Sequence, residues 1–222
     1  ERSVEEEWQA MQNQIELYKL INSSVFIFAD VSGSIQGEQK IPLSKRPRLK
    51  DNEWSDYCNK ISEIAKRLSD IGLPMSYHEH MGTIIQSEQD IYRLLDNTDD
   101  KTSLLFDTGH IFFAKGDYES ILKKYISRVN HVHCKDIRKE ILNRSLSNDL
   151  SFRDSFLEGV FTVPGDGYIN YKPLFETLYD NKYSKWLIVE AEQDPKKANP
   201  LKYAKIGYKY LNRILTEVGY RI

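Results

Sequence analysis

Acidic residues and histidines recur at the ends of short apolar segments of this sequence. The clearest example is residues 103–110, where three apolar residues lead directly into Asp107 and His110 follows three positions later. A short continuous apolar run is typical of a strand buried on both faces, as in a parallel sheet. Taken alone, the segment fits a helix-capping aspartate followed by an ordinary loop histidine equally well. Its repetition elsewhere in the chain favours a functional site.

Three further segments end in the same way. Their candidate residues are Glu79 with His78 and His80, His133 with His131, and Glu190 with Glu192. All five histidines of the chain lie in these strand ends or in residues 103–110. The intervals of 28 residues from Glu79 to Asp107 and 26 from Asp107 to His133 are each about one strand–helix unit. In a barrel, such spacing brings the side chains together around one rim.

Carboxylates and an imidazole together form a mixed oxygen and nitrogen donor set. This set suits Mn²⁺, Co²⁺ or Mg²⁺ better than a structural zinc, which more often uses thiolates. We therefore interpret Asp107, His133 and Glu190 as parts of a divalent metal site. His78 and His131 are also explained as core histidines or as neighbours of the ligands, and Glu192 as a surface charge.

The elements that must position these residues alternate between strands and helices. Apolar patterning predicts helices over residues 4–21, 53–71 and 173–179. Further helices are predicted to begin at Ser87, after Asp117 and at Pro200. Ile21 is expected to lie on the buried stripe of the first helix. Strands are predicted at 24–30, 74–80, 103–107, 128–136 and 185–190. Residues 138–170 are expected to form a long irregular loop, and the basic run from Lys40 to Lys50 a solvated face.

Repeated strand–helix units indicate an α/β fold with a parallel sheet. The expected architecture is a (β/α)8 TIM barrel, with residues 1–222 forming a single partial barrel domain. The chain begins at Glu1 already in a helical pattern, so the first strand–helix units are expected to be absent from it.

Composition excludes several classes of protein. A net charge of −2 argues against a nucleic-acid binder, and no apolar run is long enough to span a membrane or form a signal peptide. Two cysteines do not make a disulfide framework, so a reducing cytoplasm is expected. No glycine-rich nucleotide-binding motif follows any strand.

Six segments of the sequence resemble the inosose dehydratases, a family of the xylose-isomerase-like TIM-barrel superfamily. They are residues 30–47, 77–83, 106–110, 131–136, 159–167 and 189–200. The resemblance covers essentially the whole chain, and it implies a metal site formed by Glu79, Asp107, His133 and Glu190. Inosose dehydratases often carry histidine where this chain has Glu79, so the first ligand is either Glu79 or His80.

The same resemblance implies an enzyme of inositol breakdown that uses a divalent metal, Mn²⁺ or Co²⁺ with Mg²⁺ as a further possibility. The expected substrate is a cyclic polyol ketone, 2-keto-myo-inositol (scyllo-inosose), which loses water to give a trihydroxycyclohexane-1,2-dione. The candidate catalytic acids and bases are His110, His80 and Lys135. The candidate substrate-binding residues are His78, His131, Asp136 and Glu192, with Asp136 expected to orient Lys135.

Three alternatives remain open from the sequence. A metal-dependent ketose isomerase or epimerase would use the same site but return the proton instead of losing water. A metal phosphodiesterase acting on abasic DNA would need a basic face, and the net charge of −2 argues against one. A chain that associates through open sheet edges, as a homo-oligomer, needs no catalysis at all.

Overall fold

The computed structural model describes residues 2–221, and a sheet of five parallel strands lies at its centre. The strands of this sheet are β1 (Phe26–Phe28), β2 (Met75–His78), β3 (Ser103–Asp107), β4 (Val129–Cys134) and β7 (Leu187–Val189). They lie in the order β1-β2-β3-β4-β7. Two short strands, β5 (Asp136–Ile137) and β6 (Phe161–Thr162), form a separate antiparallel pair. Within the described residues β1 and β7 do not pair, so the sheet forms an open part of a barrel.

Helices connect and cover the strands. They are α1 (Val4–Ala10), α2 (Gln12–Leu20), α3 (Trp54–Asp70), α4 (Glu88–Asp96), α5 (Thr108–Phe113), α6 (Tyr118–Tyr125), α7 (Lys139–Ser147), α8 (Phe152–Glu158), α9 (Lys172–Asp180) and α10 (Pro200–Val218). Single 3-10 turns occupy Leu43–Lys45, Asp51–Glu53 and Ile126–Arg128. None of the helices described is long and apolar enough to cross a membrane.

Local sequence signals place most of these helices correctly. In α3, the apolar residues repeat at helical spacing, and seven of them from Trp54 to Leu68 are buried. Helix α4 begins with the predicted capping box, in which Ser87 and Asp90 satisfy each other's backbone amides. Asp117 caps α6 and Pro200 opens α10, also as predicted.

The predicted helix over residues 4–21 is divided into two shorter helices. The division falls at Met11, which is 3 % exposed and packs into the core. The prediction that Ile21 is buried is wrong, because α2 ends at Leu20 and leaves the Ile21 side chain 61 % exposed.

The prediction of an irregular loop over residues 138–170 is also wrong for most of its length. Residues 139–162 contain two helices, α7 and α8, and strand β6. Ser151 caps α8 by accepting a hydrogen bond from the Asp154 amide, and Gly159 ends the helix in the left-handed conformation. The longest irregular part of this segment is residues 163–170, after β6.

Candidate metal centre and active site

The register of the parallel sheet places the predicted site residues along one edge. Asp107 at the end of β3 pairs with His133 on β4, and two residues earlier on each strand Leu105 pairs with His131. His133 in turn pairs with Ile188 of β7, two residues before Glu190. Since all these strands are parallel, their carboxyl ends meet at one side of the sheet, where ligands bind in α/β folds.

The two oxygens of the Asp107 carboxylate have different tasks. Oδ1 accepts hydrogen bonds from the amides of Gly109 (2.9 Å) and His110 (3.0 Å) and so caps α5. Oδ2 points into the site, 3.5 Å from His78 Nε2 and 3.4 Å from His133 Nδ1. The capping interpretation of this aspartate is therefore confirmed, and the cap leaves Oδ2 directed into the candidate site. His110 lies in the first turn of α5 rather than in a loop.

Four potential metal-ligand atoms around this point are buried: His78 Nε2, Asp107 Oδ2, His133 Nδ1 and Glu190 Oε2. Within residues 2–221 the two imidazole nitrogens have no hydrogen-bond partner, whereas the two carboxylate oxygens face the Lys135 ammonium. The ligand atoms of Asp107, His133 and Glu190 all lie within 4.8 Å of one another, and His78 forms a similar group with Asp107 and His110. Buried polar atoms are normally paired, so these nitrogen and oxygen atoms fit a divalent metal ion.

Glu79 lies outside these groups. Its side chain is fully buried with both carboxylate oxygens unpartnered in the described part of the chain. Burial, with the nearby Asp107 carboxylate, raises the pKa of Glu79 well above its usual value. The other candidate for the first ligand, His80, forms a separate group with His110 and Glu192.

Lys135 lies at the centre of the site. Its side chain is 1 % exposed, and Nζ lies 3.3 Å from Asp107 Oδ2 and 2.7 Å from Glu190 Oε2. The ammonium also lies 3.0 Å from Glu192 Oε2 and 2.8 Å from His110 Nε2. Lys135 thus contacts Asp107, Glu190, Glu192 and His110 of the candidate site.

Lys135 governs the charge state of its neighbours. Burial alone would raise the pKa of Asp107, but Lys135 and His110 lower it well below the usual value. The same holds for Glu192, which Lys135 and the two imidazoles of His110 and His80 keep ionised. Burial, His80 and Lys135 lower the pKa of His110 well below its usual value, so this imidazole is neutral.

Asp136 does not make the predicted interaction with Lys135. Its Oδ1 accepts hydrogen bonds from the amides of Ile137 (2.7 Å) and Ile169 (2.9 Å), and its Oδ2 accepts one from Gly165 (3.3 Å). Asp136 therefore holds the turn after β6 in place. Lys135 is positioned instead by Thr108, whose hydroxyl accepts from the Lys135 amide (3.0 Å) and lies 2.7 Å from the Lys135 carbonyl oxygen.

Gly109 is a residue whose importance the sequence did not reveal. A Cβ at this position would lie 2.6 to 2.9 Å from the Cγ, Cδ and Cβ atoms of Lys135. The Lys135 stem crosses the first turn of α5 at a distance that only glycine allows.

Replacing Gly109 with alanine should lower turnover by about 100-fold, because the added methyl group displaces Lys135, and misplacing a positioned group by ~1 Å costs about that much. Metal affinity should change much less. Steady-state kinetics and metal titration check this. Gly37→Ala, where a Cβ meets no atom within 4 Å, is the matched control. Equal turnover in the two variants would contradict the expectation.

A buried arginine supports the loop that carries His80. Arg46 is 4 % exposed; its Nη1 donates to the carbonyls of Thr83 (3.2 Å) and Ile84 (2.6 Å), and its Nη2 donates to Asp90 (2.6 Å). The prediction of a solvated basic face over 40–50 is therefore wrong for Arg46. Thr83 in turn donates to the His80 carbonyl (2.8 Å).

His131 makes the stability of the protein depend on pH. Burial, with a smaller effect of His133, lowers its pKa from 6.5 to about 4. Between these values the unfolded chain binds a proton that the folded chain does not, so the free energy of unfolding falls as the pH drops through this range. The side chain of His131→Gln cannot be protonated in this range. Between pH 7 and 4.5 its free energy of unfolding should therefore fall by roughly 2 kcal/mol less than that of the wild type. Urea unfolding with a chelator present measures this, and equal losses in both proteins would refute it.

A cavity of about 850 Å³ lies elsewhere, beside β1. It is lined by Asp30, Arg48 and Tyr57 among others, and none of the predicted site residues lines it. The predicted chemistry is therefore concentrated at the strand ends rather than in this cavity.

The fold and the strand-end site are those of a parallel-barrel enzyme, and comparison with known proteins agrees. Residues 1–214 match the family described as xylose isomerase-like TIM barrel. The chain belongs to this family. The predicted resemblance to the inosose dehydratases is confirmed, and with it an enzyme of the hydro-lyase type.

Curated relatives extend over the whole chain. The rhizopine catabolism protein MocC of Rhizobium meliloti is 40 % identical over 222 residues, which are 100 % of this chain and 68 % of that protein. An inosose dehydratase of Lactiplantibacillus plantarum is 40 % identical over 216 residues, covering 96 % of this chain and 72 % of the relative. The chain thus spans about two thirds of the length of these relatives.

Solved structures share the fold at low sequence identity. The probable 3-DHS dehydratase AsbF of Bacillus anthracis superposes with a TM-score of 0.69 at 15 % identity, covering 95 % of this chain and 71 % of that one. The IOLI protein, solved with a zinc atom, superposes with a TM-score of 0.67 at 14 % identity. The match covers 96 % of this chain and 70 % of that one. These likenesses confirm the expected barrel fold.

Proposed function

We propose that this chain catalyses the metal-dependent dehydration of 2-keto-myo-inositol (scyllo-inosose) to a trihydroxycyclohexane-1,2-dione. The observation that carries the proposal is the group of Asp107, His133 and Glu190 ligand atoms, which lie within 4.8 Å of one another beside a buried lysine and a neutral histidine. The relatives named inosose dehydratase support the choice of substrate. The rest of the proposal concerns the tasks of the individual residues.

His78, Asp107, His133 and Glu190 are the residues proposed to hold the metal. His78 takes the place predicted for Glu79, because its Nε2 faces Asp107 Oδ2 whereas Glu79 belongs to no ligand group. Two imidazoles and two carboxylates suit Mn²⁺ or Co²⁺, and Mg²⁺ less well. When bound, such an ion supplies Lewis acidity that polarises the ketone of the substrate.

His110 is proposed to accept the proton from the carbon next to the ketone. Its pKa lies well below the usual value, so the imidazole is unprotonated, as a general base must be. His80 lies against it, with ring centroids 3.9 Å apart, and its Nε2 lies 3.6 Å from Glu192 Oε1. His80 and Glu192 hold the base in place and face the substrate.

Lys135 is proposed to protonate the departing hydroxyl group. Hydroxide is a poor leaving group and needs a proton donor, and the Lys135 Nζ atom forms ion pairs with three surrounding carboxylates. The electron pair of the broken C–H bond forms the new double bond, the C–O bond breaks, and water leaves. The resulting enol tautomerises to the dione.

Incubation of the purified chain with scyllo-inosose tests the proposal. After removal of metals by chelation, the absorbance of the dione should appear on addition of Mn²⁺ or Co²⁺ and remain absent without them. A product of unchanged composition would instead indicate a ketose isomerase or epimerase. Unchanged substrate with every metal would contradict the proposal.

A further inference from the structure

Two groups of potential metal ligands lie side by side in the site. Asp107, His133 and Glu190 form the first group, and His80, His110 and Glu192 form the second. In each group the ligand atoms lie within 4.8 Å of one another. Adjacent groups of this kind are the arrangement that binds two metal ions in many hydrolytic enzymes. The ligands alone would therefore allow two ions.

The Lys135 ammonium lies between the two groups. On one side it contacts Asp107 Oδ2 at 3.3 Å and Glu190 Oε2 at 2.7 Å. On the other it contacts His110 Nε2 at 2.8 Å and Glu192 Oε2 at 3.0 Å. The ammonium therefore lies equally close to both groups, and two ions together with this charge would lie within a few ångströms of one another.

The lysine is held where it is. Its stem packs against Gly109, its Nζ lies 4.9 Å from the centre of the Phe161 ring, and its backbone is fixed by Thr108. With 1 % of the side chain exposed, the ammonium has no solvent to move into. The ammonium cannot leave its place between the two groups without disturbing α5.

Charge balance leads to the same conclusion. The carboxylates of Asp107, Glu190 and Glu192 and the single ammonium leave two negative charges, which one divalent ion neutralises. A second divalent ion would leave the buried site with an excess of two positive charges, and uncompensated buried charge is strongly unfavourable.

We propose that the Lys135 ammonium takes the place of a second cation between the two groups and so restricts this site to one divalent metal ion. This inference rests on the proposed metal at Asp107, His133 and Glu190. Removing the ammonium while keeping the shape of the stem should open the second group, so that the site binds two ions instead of one.

Counting bound Mn²⁺ in Lys135→Met tests the inference. Elemental analysis after equilibrium dialysis should give one ion per chain for the wild type and two for the variant. Electron paramagnetic resonance should show an isolated Mn²⁺ in the first and a magnetically coupled pair in the second. Lys209→Met, which removes an exposed lysine, is the matched control and should bind one ion.

A double variant assigns the second ion to its ligands. Lys135→Met with His80→Ala removes one ligand of the second group and should return the count to one. One ion in Lys135→Met, or a coupled pair in the wild type, would overturn the inference and leave the proposed function standing. A wild type that binds no ion would overturn both. Should Lys135→Met not fold, as judged by circular dichroism, Lys135→Gln and the wild-type spectrum provide the same comparison.

Discussion

Replacing Asp107 with asparagine is expected to abolish tight metal binding while leaving α5 intact. The asparagine carbonyl oxygen can still accept hydrogen bonds from the Gly109 and His110 amides, as Oδ1 does now. The amide nitrogen then replaces Oδ2 and offers no electron pair to a metal. Since even partners outside the ligand shell contribute 10- to 100-fold to affinity, the loss should exceed about 100-fold.

Calorimetric titration with Mn²⁺ and thermal unfolding together check this expectation. Asp107→Ala should lose metal binding too, but it should also lose about 1 kcal/mol of stability because the cap is removed. Asp117→Asn alters a cap of the same kind at α6, away from the site, and should bind metal normally. Unchanged affinity in Asp107→Asn would remove Asp107 from the metal site.

Replacing His110 with phenylalanine should lower turnover by roughly 10²- to 10⁴-fold, the usual contribution of a general acid or base. The ring of His110 packs near Phe161 and Phe152, with centroids 5.2 and 5.9 Å away. An apolar ring therefore fills the same space but cannot accept a proton. The unpartnered buried Nδ1 atom disappears at the same time, but Lys135 Nζ loses its contact with His110 Nε2.

Kinetics with scyllo-inosose measure the loss in His110→Phe, and metal titration serves as the control. Metal affinity should remain close to that of the wild type, because His110 is outside the proposed ligand set. Normal turnover would exclude His110 from proton transfer. A parallel loss of metal would instead mean that His110 ligates the ion together with His78 and Asp107.

Sequence patterns were sufficient to place Asp107, His133 and Glu190 beside one another. Each lies at or just beyond the end of an apolar strand; about one strand–helix unit separates Asp107 from His133 and about two separate His133 from Glu190, so parallel pairing brings the strand ends together. The fold class follows from the same repetition. These features depend on local patterns that survive without knowledge of tertiary contacts.

The ligand proposed on β2 depends on a finer rule. Side chains on a strand alternate between faces, and the Tyr77 hydroxyl contacts Tyr57 on α3 (2.7 Å). His78 must then face the opposite side, towards Asp107. The same alternation, applied to the sequence, favours His78 and His80 over Glu79 at the site.

Other features could not be read from local patterns. Gly109 matters because Lys135, 26 residues later, packs against it, and neither residue indicates the other in the sequence. Arg46 is buried because carbonyls of a loop nearly forty positions away accept its hydrogen bonds. Such pairings are decided by the tertiary fold.

The Arg46 contacts also determine where the chain can change in length. The loop after β1 is exposed between residues 37 and 40, and exposed loop tips are where insertions are tolerated. Near Arg46 an added residue would move the guanidinium away from Thr83, Ile84 and Asp90. Variation in the length of this loop among proteins that share the site should therefore be confined to the segment before residue 43, with the spacing from Arg46 to α3 constant.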